Sequence, residues 1–160
     1  MQIQDMVDWQ DELNRLEKLW SDMLHISEQQ LVLLQTFKPD DESDLHHLQE
    51  LLSQREILMK QIDALAGIHD QADKLQQAAQ SSNDRDKAGA MYQAFRSSQD
   101  RIVPLMLAIK ENDTGMKSGM SEALRITGNE LVQARQSARV NRAYTQSGVT
   151  SEAWFFDDRK

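Results

Sequence analysis

Arg55 and Asp113 are the two residues whose types are out of place. Each falls on an apolar stripe, at a step of three or four residues where Leu or Met is expected. A guanidinium and a carboxylate in such positions suit a bidentate, charge-assisted pair. Either they face each other across packed helices and fix their register, in which case removing one from a buried pair strands a charge, or each snorkels to solvent at the edge of its seam. The four histidines raise metal binding and do not sustain it. His46 and His47 are adjacent, so on a helix they diverge by about 100°. His69, Asp70 and Asp73 could touch one ion, but turn residues of this type usually stay solvated. There is no HExxH and no Glu-x-x-His pair. Gly115-Met116-Lys117-Ser118-Gly119 lacks both the spacing and the preceding strand of a phosphate loop. No Ser/His/Asp, Cys/His or paired-carboxylate set has a useful spacing. No catalytic residue, metal or cofactor is expected.

Long helices must position these residues. Two Pro and six Gly in 160 residues leave little punctuation. The first helix is predicted over Gln4–Phe37, with the stripe Met6, Trp9, Leu13, Leu16, Trp20, Met23, Leu31 and Leu34; Ser27 and Gln30 interrupt it. Lys38-Pro39 ends it. A second helix starts near Asp41–Ser43, where Asp40, Asp41 or Ser43 can cap. Its stripe is Leu45, Leu48, Leu52, Arg55, Met59, Ile62 and Leu65, with Gly67 as the stop. A short helix over Asp70–Gln80 follows, then a turn at Ser81–Asp84. The third helix carries Ala88, Met91, Tyr92, Phe95 and Ile102, and Pro104 is expected to bend or break it. A last helix runs from Leu105 to Tyr144, with Gly115 and Gly119 four apart on a face that permits close approach. The fold class expected is all-α: an up-and-down antiparallel bundle of three or four long helices over residues 1–144, with a flexible aromatic tail at 145–160.

Charge and apolar surface point toward a protein partner. The net charge of −8 disfavours nucleic acid. No run of about 18 apolar residues is present, so no membrane span is expected. Met1–Leu13 has no basic or apolar leader region. The lack of cysteine fits a reducing cytoplasm. Residues 85–160 are basic while residues 1–84 are acidic, which suits either complementarity between packed helices or a basic face for a partner, and Arg125, Arg135, Arg139 and Arg142 stand on the last helix. Met106, Met116 and Met120 give that helix an adaptable apolar surface. Ser147–Ser151 reads as a link to Trp154-Phe155-Phe156, three adjacent aromatics that helical amphipathicity does not explain. The candidate partner-contact residues are therefore Met116, Met120, Leu124, Leu131, Arg135, Tyr144, Trp154, Phe155 and Phe156. The long stripes also allow a homodimer.

Three stretches resemble the flagellar export chaperones of the FliT type. Leu51-Leu52-Ser53-Gln54-Arg55-Glu56-Ile57-Leu58 is similar to a leucine-leucine-x-x-arginine segment of their second helix. Ile109-Lys110-Glu111-Asn112-Asp113 resembles the entry to their final helix. Ala143-Tyr144, a Ser/Gly linker and Phe155-Phe156-Asp157-Asp158-Arg159-Lys160 resemble their ending. The extra helical stretch around residues 69–100 suits the FlgN type instead. The resemblance implies a small helical cytoplasmic protein that holds an unassembled export client and delivers it to the type III export apparatus. The implied client is the filament-cap protein for the FliT type and the hook–filament junction proteins for the FlgN type; without the resemblance, the residues suit equally a non-flagellar helical interaction or scaffold protein.

Overall fold

The computed structural model describes residues 3–81 and 84–156, with side chains described over 5–81 and 84–146. The order is α1 (Ile3–Gln35), α2 (Glu42–Asp63), α3 (Gly67–Ser81) and α4 (Arg85–Phe156), with no strand among the described residues. The all-α expectation holds. The chain divides into two compact units, Met1–Gly119 and Met120–Lys160. That division falls inside the stretch read above as bundle.

The first unit is built of three rods. Trp9 donates its indole N–H to the Met91 carbonyl, Arg101 pairs with Glu17, and Asn112 bonds Ser27, at sequence separations of 82, 84 and 85. Near-constant separation means that α1 and the first part of α4 run parallel. Residues 22–29 of α1 share a groove with residues 54–61 of α2, and residues 25–36 share its continuation with His47, so α2 runs antiparallel to α1. The core joins Trp9, Leu13 and Leu16 of α1 to Ile68, Ala72 and Leu75 of α3 and to Ala88, Met91, Phe95 and Ile102 of α4.

Local chemistry explains each boundary. Asp41 caps α2 by accepting the Ser43 N–H, as expected of an acid at the positive end of the helix dipole. Gly67 does not stop a helix; it opens α3, and no described glycine has positive φ. Between α2 and α3 the backbone bonds Leu65 N–H to Ile62 O, Ala66 N–H to Asp63 O and Ile68 N–H to Leu65 O. These tight i→i+3 bonds hold about three residues per turn. The inward residues Ile62, Leu65 and Ile68 step by three twice, so the overwound turn keeps one face inward and makes α2 and α3 a single arm.

Each of α1 to α4 departs from the sequence expectations in some respect. Pro104 does not break α4, which runs through it. Its ring sits on the exposed face between buried Ile102 and half-buried Leu105. The Asp100 carbonyl that loses its bond there can turn to water. On α2 the structure buries Leu48 and Leu51, leaving Leu45, Leu52 and Met59 more than two-fifths exposed. Leu51 and Leu52 are equally apolar, so hydrophobicity could not choose between them. On α1 a second buried edge, Leu19, Ile26 and Leu33, was missed because this helix has two neighbours. The backbone of α4 is helical through Phe156, across the stretch read as a link.

Gly115 and Gly119 lie against α1 as their spacing suggested. A β-carbon on them would stand 3.1 Å from Leu31 Cδ2 and 3.3 Å from Leu34 Cδ1.

Pro104→Ala restores a backbone bond at an exposed helical site. It is expected to stabilise the protein by about 1–3 kcal/mol, part of the cost of a mid-helix proline. A lower melting temperature in the variant would refute this account of the site.

Candidate functional site

The residues singled out for chemistry meet in a polar layer across three helices. Arg55 of α2 donates Nη1 to Asp113 Oδ1 and Nη2 to Asp113 Oδ2 on α4, both at 2.6 Å. The same Nη1 donates to Gln30 Oε1 on α1 at 3.2 Å. One turn away, Asn112 Nδ2 donates to Ser27 Oγ at 2.9 Å, and Ser27 Oγ donates to the Leu24 carbonyl. Gln30 is wholly buried and Ser27 nearly so. Their interruption of the α1 stripe is thus the α1 side of the Arg55–Asp113 layer. Gln30 Nε2 is buried without a partner among the described residues. The Asp113 carboxylate holds the Arg55 proton more tightly than usual, against the opposing effect of burial. The guanidinium and carboxylate of this layer are engaged with each other, and Gln30 Nε2 is left without a partner beside them.

A second pair ties α1 to α4. Arg101 Nε and Nη2 reach the two Glu17 oxygens at 3.0 and 2.7 Å. The Arg101 guanidinium holds the Glu17 carboxyl below its ordinary range, burial acting against it. Periodicity does not mark this pair, since Glu17 and Arg101 lie beside the stripes rather than on them.

The second unit contributes the other candidate surface. Every described side chain from Gly128 to Gln146 is exposed. Leu124 is 64% exposed, Leu131 53% and Tyr144 74%, with Ile126, Val132 and Val140 also open. Arg125 is engaged by Glu122. Arg135, Arg139 and Arg142 recur at steps of four and three, so they share a face, and Leu124 and Leu131 are seven apart beside it.

No family model, curated protein or solved structure matches the chain.

Met116 is half-buried in the first unit and Met120 is half-buried in the second. Leu124, Leu131 and Arg135 lie on one side of the exposed part of α4, and Tyr144, nine residues after Arg135, falls on the opposite side, so the structure does not bring it together with them. The side chains of Trp154, Phe155 and Phe156 lie outside the described residues. Among the described residues no group of three His, Cys, Asp or Glu could hold a metal, and no helix is long and apolar enough to cross a membrane.

Arg55→Leu strands the Asp113 carboxylate and is expected to cost about 1.5–3 kcal/mol, the range for hydrogen bonds to charged groups. The larger losses of fully buried pairs do not apply, because Asp113 keeps 41% of its exposure. The double variant R55L/D113L should recover most of that loss. Urea denaturation of the wild type, both singles and the double checks this; singles as stable as wild type would show that the pair contributes nothing. Glu17 gives a pH-dependent case. Its folded pKa lies below the ordinary 4.5, so its contribution is complete above that value and is lost as pH falls through the lower folded pKa. Glu17→Gln should therefore melt below wild type at neutral pH and converge with it in acid. A gap that stays constant with pH would contradict the assignment.

Proposed function

We propose that this protein is a flagellar type III export chaperone of the FliT kind, holding an unassembled filament-cap protein for delivery to the export apparatus. One observation carries the proposal: the exposed apolar and basic surface of α4 between Leu124 and Tyr144. An isolated helix is marginal in water, and most helical stability comes from packing an apolar face. Gly128 and the β-branched Ile126, Thr127, Val132 and Val140 lower the helix propensity of this stretch. A partner helix laid along it would supply the missing packing and bury Leu124 and Leu131. The resemblance over residues 51–58, 109–113 and 143–160 supports a flagellar client. The FlgN type, with hook–filament junction proteins as clients, is the second reading, and α3 is the observation in its favour. That helix occupies Gly67–Ser81, in the added stretch that suits the longer family.

Co-expression with the filament-cap protein and with the junction proteins tests the proposal and separates the two readings. A stoichiometric complex with one of them is expected. Leu124→Ser with Leu131→Ser should weaken it about tenfold or more, as truncation of buried interface anchors does. The unliganded variant should melt close to wild type, because both side chains are exposed. Binding to none of these clients would overturn the reading.

A further inference from the structure

A second surface lies on the first unit, along the seam between α1 and α2. Asp22, His25, Ile26 and Gln29 of α1 line one groove with Gln54, Ile57, Leu58 and Gln61 of α2, enclosing about 410 Å³. A second hollow of about 440 Å³ shares His25 and Gln29 and continues past Val32 and Leu33 to Thr36 and His47. Together they follow α1 from residue 22 to its end at Gln35, roughly 20 Å at 1.5 Å per residue, and reach Thr36 just beyond it. The floor is apolar: Ile26 and Leu33 are buried and Leu58 is half-buried. Two large side chains stand open on the rim, Val32 at 64% exposure and Ile57 at 56%. The folded bundle does not need them there, since Leu48 and Leu51 already fill the α2 side of the core.

Charge says what would fit. α1 carries seven acids against two bases, and α2 five against two. Glu28 lies on the groove itself, and so does Asp22, which Lys18 pairs at 2.8 Å. Nucleic acid and anionic lipid are repelled by such a surface. A second copy offering the same face would bring like charges together across a self-complementary contact. A straight trough of about four helical turns between two antiparallel helices suits a third helix, anchored at i, i+3/i+4 and i+7.

We propose that the α1–α2 groove docks an amphipathic helix of another protein, with apolar anchors against Val32 and Ile57 and Lys or Arg along its flanks. The site uses α1 and α2 only and stands whether or not the α4 client reading holds. It gives the protein a second partner surface, chemically opposite to the basic face of α4.

The test uses the full chain and two synthetic 18-residue helical peptides. Both carry Leu at helical spacing; one has Lys elsewhere and the other has Glu. Amide shifts on titration with the Lys peptide should concentrate in residues 22–36 and 47–61. Val32→Ser with Ile57→Ser should weaken that binding about tenfold, added salt should weaken it further, and the Glu peptide should not bind. Shifts centred on other residues, equal binding of the two peptides, no effect of the double substitution, or no binding at millimolar peptide would each overturn the proposal. So would sedimentation showing a dimer of the free chain that the same two substitutions dissociate, since a second copy would then be the occupant.

Discussion

The bidentate pair between Arg55 and Asp113 is the constraint on which the first unit depends. The seams of α1, α2 and α4 repeat every three or four residues, and apolar seams of that kind can slide by a heptad with modest loss. Such a slip moves one helix about 10 Å along another. Polar residues at seam positions forbid it, because a displaced Arg55 or Asp113 would face Leu or Met with its charge unpaired. Gln30 joins the same guanidinium from α1, and Ser27 bonds Asn112 beside it, so all three rods are held at one level. The pair is not a large source of stability in itself, since Asp113 remains partly solvated. Its effect is to select one arrangement among several of similar apolar burial.

With the register held, other features follow. Leu31 and Leu34 of α1 arrive against Gly115 and Gly119, where glycine leaves room for them. The indole of Trp9 reaches the Met91 carbonyl, and Phe95 stacks beside it against Tyr92. The overwound turn at 64–66 lets α2 and α3 present one continuous face although their apolar steps shorten there. α1 ends at Gln35, close in register to Gly119, where the first compact unit also ends. The same lock that orders the core thus sets how far along α4 the three-helix packing extends.

Much of this was legible in the sequence, for particular reasons. Periodicity located the helices, because a 3.5-residue repeat of Leu, Met and Trp has few other interpretations. Arg55 and Asp113 were visible as violations of that repeat, and Ser27 and Gln30 as gaps in it. Linking those gaps to Arg55 required knowing which levels of the three helices coincide, which is tertiary information. Leu51 against Leu52 was undecidable, since adjacent leucines leave both phases apolar. Pro104 misled because a proline's effect depends on which face it occupies, and its neighbours Val103 and Leu105 are apolar on both sides. The groove at Val32 and Ile57 carried no signal, because each resembles an ordinary residue at the edge of a stripe.

The functional proposals rest on what this lock leaves outside the core. The chain has an acidic bundle with an open apolar groove, and a length of basic helix with exposed leucines, and the two proposals place a partner helix on each. The register claim beneath it can be measured directly by pulsed electron–electron distance spectroscopy. The chain has no cysteine, so Glu28→Cys on α1 and Lys110→Cys on α4 give clean labelling positions, both exposed. The account predicts one narrow distance distribution in the otherwise wild-type protein. In R55L/D113L it predicts a broadened distribution, or a second population displaced by about one heptad, roughly 10 Å. An unchanged single distance in that variant would contradict it, and would mean that apolar packing alone sets the register.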